Sequence, residues 1–389
     1  MKLIDVINKE NCTGCMACKN ACSRNAIEIK DEKDGFSYPK INKEYCINCN
    51  ICRKVCPVEN KLAENKNEIE VYACKNKENE VLLKSSSGGI FTLIANYILK
   101  EKGVVFGAAF NENFEVVHEW IDNSDGLDKL RRSKYLQSKI GNSYKEVKKF
   151  LLDGRKVLFT GTPCQVEGLI TFLGRDYDNL YTQDIICHGV PSPKVWKKYL
   201  EYKKKIYNEN PKQINFRRKD IAGWNNFKLN IKYESFEENL DTSKDFYMRM
   251  FLDNYDLRKT CYNCNFKKIK RNSDITIADF WGIKEVNLEI YDEKGVSAVL
   301  INSKKGKELF ENIKRYIIYS KENIDDIVKY NYPLVRSVEY NGKREDFFED
   351  LDKLDFETLI NKYQKNNYWI NLKDSKWKKT RLKAVLYIA

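Results

Sequence analysis

Eight of the chain's thirteen cysteines fall between Cys12 and Cys56, and they repeat one spacing. The first run is Cys12-x2-Cys15-x2-Cys18-x3-Cys22; the second is Cys46-x2-Cys49-x2-Cys52-x3-Cys56, closed by Pro57. Gaps of two residues let a curled loop aim three sulfurs at one face of a 4Fe-4S cube. The fourth sulfur, three residues on, points away towards another cube. By that rule Cys12, Cys15, Cys18 and Cys56 hold one cluster, while Cys46, Cys49, Cys52 and Cys22 hold the second. A zinc ribbon asks for only four ligands in two close pairs. A disulfide framework is disfavoured because nothing at the N-terminus resembles a secretory signal.

This is the spacing of a bacterial two-cluster ferredoxin module. Ser23 stands where the second run has Pro57, which alters a turn and removes no ligand. Short strands are expected at 3–7 and across 27–41, the latter turning at Asp34-Gly35. Such a module takes roughly 60 residues, and the chain has 389. Most of it therefore does something else. With 42% hydrophobic and 13% aromatic residues the composition is that of a folded protein, and no apolar run is long enough for a membrane span. A cytoplasmic location follows as the expectation, with the cysteines serving metal in a reducing compartment. The net charge of +13 is spread among 56 acidic residues without a recognition motif, so nucleic acid is not expected as a partner. A basic surface suits an acidic redox protein or a phosphorylated substrate.

The Asn-rich, charged stretch 58–70 reads as a linker. It divides a ferredoxin domain, 1–64, from a larger domain, 65–305, with helices over 306–389. In the larger domain, Ser85-Ser86-Ser87-Gly88-Gly89 precedes an apolar helix; it is either a plain cap or a phosphate seat on a helix N-terminus. Lys156–Phe159 leads into Thr160-Gly161-Thr162-Pro163-Cys164, and Leu180–Ile186 into Cys187-His188-Gly189. Strand, Gly-containing turn and helix, repeated, give an α/β layout with parallel strands, whose ligands bind beyond the carboxyl ends. The overall class is α+β: the cluster module, an α/β flavin-binding domain, and a C-terminal helical extension. Ala298–Ile301 is the last stretch that reads as strand. The basic, aromatic tail 376–383 reads as a solvated end. His118 alternates with apolar neighbours and reads as structural, and Cys74 as a buried thiol.

Cys164, Cys187, Cys261 and Cys264 lie at strand ends or in loops and could close a third metal site. Spacing suits four-cysteine zinc as well as a third 4Fe-4S cluster. Context favours iron, because electrons leaving the N-terminal clusters need a destination.

The motifs SSSGGIF (85–91), KYLQS (134–138), VLFTGTPCQVEGL (157–169), DIICHGVPSP (184–193), CYNCNF (261–266) and DITIADFWG (274–282) resemble the coenzyme F420 hydrogenase/dehydrogenase beta-subunit family. That resemblance implies a flavoprotein, with FAD rather than FMN. It would exchange electrons between iron-sulfur clusters and an organic hydride acceptor or donor, which in some members is the deazaflavin coenzyme. Fusion to a two-cluster module implies a stand-alone reductase served by ferredoxin or another redox protein. The alternative is an electron-transfer subunit without a substrate site of its own. On this reading Ser86, Ser87, Gly88 and Gly89 meet the flavin phosphates. Lys134, Gln137 and Ser138 meet the ring or ribityl chain, and Thr160, Gly161 and Thr162 line the strand-end crevice. Asp279 orients a ligand or caps its turn. His188 either donates a proton to substrate or tunes the cluster through a hydrogen bond.

Overall fold

A computed structural model describes residues 9–364. The expected strand at 3–7 and the tail at 376–383 lie outside the described residues. In chain order the strands are β1 (Ile27–Asp31), β2 (Ser37–Ile41), β3 (Glu70–Asn76), β4 (Val104–Phe110), β5 (Val116–Ile121), β6 (Val157–Gly161) and β7 (Leu180–Ile185). They continue as β8 (Gln213–Arg218), β9 (Lys228–Lys232), β10 (Glu237–Asp241), β11 (Ile275–Asp279), β12 (Ser297–Ile301) and β13 (Ile317–Lys321).

Eight strands form one mixed sheet in the order β13-β3-β12-β11-β7-β6-β4-β5. The centre, β11-β7-β6-β4, is parallel throughout. The strand-turn-helix reading of the sequence predicts that arrangement. β4 and β6 are apolar, with Val104, Val105, Phe106, Val157, Leu158 and Phe159 fully enclosed, while β7 and β11 bury polar residues such as Thr182, Asp184 and Thr276 as well. Antiparallel β5, β12, β3 and β13 extend the sheet to its edges.

Two strands were not anticipated. β13 pairs with β3, so sheet structure continues past Ala298–Ile301 and the region after 305 is not wholly helical. β10 (EENLD) is a charged edge strand on a three-stranded sheet with β9 and β8. The helix Arg344–Lys353 buries Phe347, Phe348 and Leu351 in an aromatic core that also holds Phe36 and Tyr38 of the cysteine module. The module is thus packed into the body of the protein.

Chain chemistry places the strand-end loops. After β6, Thr162 and Gln165 form a reciprocal capping box and Pro163 occupies the first turn of helix Pro163–Leu173. After β7, Ser192 caps Pro193–Tyr207 in the same way, its hydroxyl accepting from Lys194 N at 3.2 Å. Gly89, in the left-handed region at φ 79°, caps Ile90–Lys100. A side chain on Gly88 would run into the carbonyl of Cys74. The glycines of SSSGG therefore have packing reasons of their own.

Candidate functional site: three sets of four thiols

Cys12, Cys15, Cys18 and Cys56 line one cavity of about 370 Å³ together with Thr13, Gly14, Pro39 and Val58. The strongest electrostatic neighbours of the buried Cys15 thiol are Cys56 and Cys12, while Cys18 has Cys15, Cys12 and Cys56, with Cys52 of the second run next. Cys52 is surrounded instead by Cys22, Cys49 and Cys46. Cys56 thus stands among the thiols of the first run and Cys22 among those of the second. Asn48 and Asn50, both at positive φ, curl the second loop. Cys49 is exposed, and Tyr45, Ile47 and Ile51 around it are exposed as well.

Cys164, Cys187, Cys261 and Cys264 line a larger cavity, about 560 Å³, at the carboxyl ends of β6 and β7. Pro191 bridges to Leu257, and Ser192 N donates to Asp256 O at 3.0 Å, which ties the Cys187 loop to the Cys261 segment. Burial pushes Cys15 and Cys261 up to about 12 and raises Cys18, Cys164 and Cys187. Such thiols stay protonated unless a cationic centre compensates them. The donor sets fit metal clusters. Among the described residues no three His, Cys, Asp or Glu side chains converge as ligands of a single ion would; the thiols stand on cavity walls.

The first and third sets adjoin. Thr13 lines both cavities. Cys164 lies in the first turn of helix Pro163–Leu173, and one turn on, a side chain at Gly168 would place Cβ 3.0 Å from Cys15 Sγ. Gln137 spans the join: its Nε2 donates to Thr13 O at 3.0 Å and its Oε1 accepts from Arg258 at 2.9 Å.

The remaining expected residues divide into two groups. Ser138 Oγ meets His118 Nδ1 at 2.8 Å and accepts from Gln165 at 2.9 Å, while His118 Nε2 meets Thr160 O at 3.0 Å. Burial lowers His118 to about 4, a neutral ring in a structural chain. Thr160 Oγ1 donates to Phe106 O, Thr162 Oγ1 lies 3.2 Å from Cys164 Sγ, and Gly161 sits against Gln165. Lys134 ties the carbonyls of Lys129 and Arg131, each at 2.7 Å. His188 lines the third cavity with Nε2 2.8 Å from Asn254 Oδ1, and burial lowers it to about 4.

Ser86, Ser87 and Asp279 gather elsewhere, around cations that sequence reading missed. Arg217 donates to Asp279 Oδ1 at 2.9 Å, to Ser86 O at 3.1 Å and to Tyr135 OH at 3.1 Å. Trp224 Nε1 donates to the same Asp279 oxygen at 2.6 Å and stacks on Trp281. Lys219 donates to Ser87 O at 2.8 Å; burial, then Arg217, lowers it to about 7, and Arg132 adds to that. The buried Nε atoms of Arg217 and Arg132 have no hydrogen-bond partner. The only sequence signal was the cluster Arg217-Arg218-Lys219 at a strand end, indistinguishable from a solvated turn.

Residues 154–327 match the family model for the C terminus of the coenzyme F420 hydrogenase/dehydrogenase beta subunit. That match spans 174 of the 389 residues, and over it the chain is similar to this beta-subunit family. Residues 11–60 match the 4Fe-4S dicluster domain. The two matches support an iron-sulfur electron-transfer protein of oxidoreductase type. Among solved structures, a chain of the F420-reducing [NiFe] hydrogenase complex from Methanosarcina barkeri aligns at 16% identity and a TM-score of 0.45, covering 78% of this chain and 91% of that one. No curated protein matches. No helix among the described residues is long and apolar enough to cross a membrane.

One buried acid by the third set gives a pH prediction. Burial raises Asp256 to about 8, and neither of its side-chain oxygens has a partner. A carboxyl whose folded pKa is raised contributes stability that is fully present below its ordinary value of 3.8 and is lost as pH climbs towards the folded value, because the unfolded chain gives up the proton first. Thermal stability is therefore expected to fall as pH rises from about 4 to about 8 and to level off above that. Melting curves of Asp256→Asn should lose that fall, and a wild-type curve flat from pH 6 to 9 would exclude it.

Proposed function

We propose that this chain is a flavin-dependent iron-sulfur oxidoreductase, passing electrons between an external one-electron carrier and an organic hydride acceptor. The observation that carries the reading is the continuity of the thiol sets: the exposed Cys49 set, the enclosed Cys15 set, and the Cys164 set sharing Thr13 and one helix with it. Each set supplies four thiols, which supports three 4Fe-4S clusters, the third a cube rather than one zinc because electrons leaving the first two need a destination.

A flavin, when bound, converts single electrons into a hydride. Ser86, Ser87, Arg132, Arg217 and Lys219 fit its phosphates, since hydroxyls and cations with buried, unpartnered Nε–H groups on Arg132 and Arg217 seek an anion, while Asp279 orients Arg217. FAD suits this better than FMN only through the family resemblance. His188 is neutral and already bonded to Asn254, which supports a role in orienting the third site over one as a proton donor. A ferredoxin or similar acidic carrier would meet the second set, where exposed Tyr45, Ile47 and Ile51 are rimmed by Lys43, Arg53 and Lys54. The acceptor is a small organic molecule, the deazaflavin coenzyme among them, and the setting is cytoplasmic.

Lys219→Met removes a cation without orphaning a carboxylate. Flavin retained through anaerobic purification should fall at least tenfold while iron per chain is unchanged. Full flavin retention would remove this cluster of residues from the cofactor's site.

A further inference from the structure

Among the described residues four arginines are buried to 2% exposure or less: Arg217, Arg258, Arg271 and Arg344. Three have a carboxylate partner, Asp279 for Arg217, Asp184 for Arg271 and Asp34 for Arg344, at 2.8 to 3.1 Å. Arg258 has none. Its Nε donates to Cys12 O, its Nη1 to Gln137 Oε1 at 2.9 Å and its Nη2 to Ser37 O at 3.0 Å, and Nη2 lies 3.8 Å from Cys12 Sγ. The guanidinium also lies over the Tyr38 ring, 4.2 Å from its centroid. Gly14, at φ 72°, leaves the space: a side chain there would press on Arg258 Nη1 and Gln137 Nε2. A buried guanidinium satisfied only by neutral acceptors is costly. The Cys12 sulfur, 3.8 Å from Nη2, can carry the missing negative charge; here it is a thiol standing in for a cluster-bound thiolate.

We infer that Arg258 is the built-in counter-charge of the first cluster, favouring its reduced state and locking the cysteine module onto the body of the chain. The inference rests on the cluster reading of Cys12, Cys15, Cys18 and Cys56. A cation held against a thiolate ligand at low dielectric favours each added electron. The hydrogen bonds from one side chain to Cys12, Ser37 and Gln137 span the module and the body, so charge and docking come from one residue. It stands three residues before Cys261 in the chain, touches Cys12 and bonds Gln137, which lines the third cavity.

The test is a redox titration of the anaerobically purified full chain, followed by electron paramagnetic resonance. Arg258→Gln should shift the reduction equilibrium of the first cluster at least tenfold towards the oxidised state and leave the second, exposed cluster in place. Arg258→Lys should retain most of the wild-type value. A loaded first cluster with unchanged potential in Arg258→Gln would overturn the proposal. If that variant does not load the cluster, Gln137→Glu decides, since it sets a carboxylate against Nη1. A shift in the same direction supports the counter-charge, and an unchanged potential overturns it. Wild-type chain without iron on these four cysteines would overturn the cluster reading itself, and the arginine's role with it.

Discussion

Cys261→Ser is expected to remove about four of about twelve irons per chain, the count for three cubes, and to stop electrons that enter at the second set from reaching a flavin. The loss should be confined to the third set. Cys261 shares its cavity with Cys164, Cys187 and Cys264, whereas the first set is lined by a different group of cysteines. Serine supplies a hard, weakly acidic oxygen in place of a soft thiolate, a poor ligand for iron-sulfur centres. Iron and sulfide analysis with electron paramagnetic resonance reads the outcome. Iron content equal to wild type in this variant would remove Cys261 from the ligand set.

The largest expected effect on stability is at Arg271. Its Nη1 donates to Asp184 Oδ2 at 3.1 Å and to Ile185 O at 2.7 Å, and its Nε to Lys268 O at 3.1 Å. Both members of the ion pair are buried, and Asp184 receives further donation from Thr276. Taking away one partner leaves a charge in the interior, at a cost of about 3–5 kcal/mol. Arg271→Met should lower the urea midpoint accordingly. It should also weaken metal retention at the third set, because Ile185 and Lys268 flank the segments bearing Cys187 and Cys264. Adding Asp184→Asn should recover part of the loss by removing the stranded charge. A midpoint unchanged by Arg271→Met would show that the pair contributes nothing.

Cysteine spacing encodes which sulfurs can face one cube, and in the fold Cys56 lies among the neighbours of Cys18 and Cys22 among those of Cys52. The parallel centre of the sheet was legible for a similar reason: apolar strands ending in Gly-containing turns and capped helices leave few alternatives. β10 and β13 escaped because edge strands carry polar residues and lack the alternation that marks a half-buried strand. Lys134 and Ser138 show another limit. Both are polar residues in a family motif, yet one ties loop carbonyls and the other holds His118, choices fixed by neighbours distant in sequence. Arg217 and Arg258 are in stretches where nothing local separates a buried cation from a solvated one. Only the chain's return through space puts Asp279 beside the first and Cys12 beside the second.

The central claim is a conducting line of three clusters ending at a flavin, and its most direct test is the cofactor content of the chain purified without oxygen. Iron, acid-labile sulfide, zinc and extractable flavin would be measured per chain. About twelve irons with matching sulfide, no zinc and one flavin is the predicted result. About eight irons with one zinc and no flavin would contradict it: the third set would be structural, and the chain an electron carrier without a hydride site.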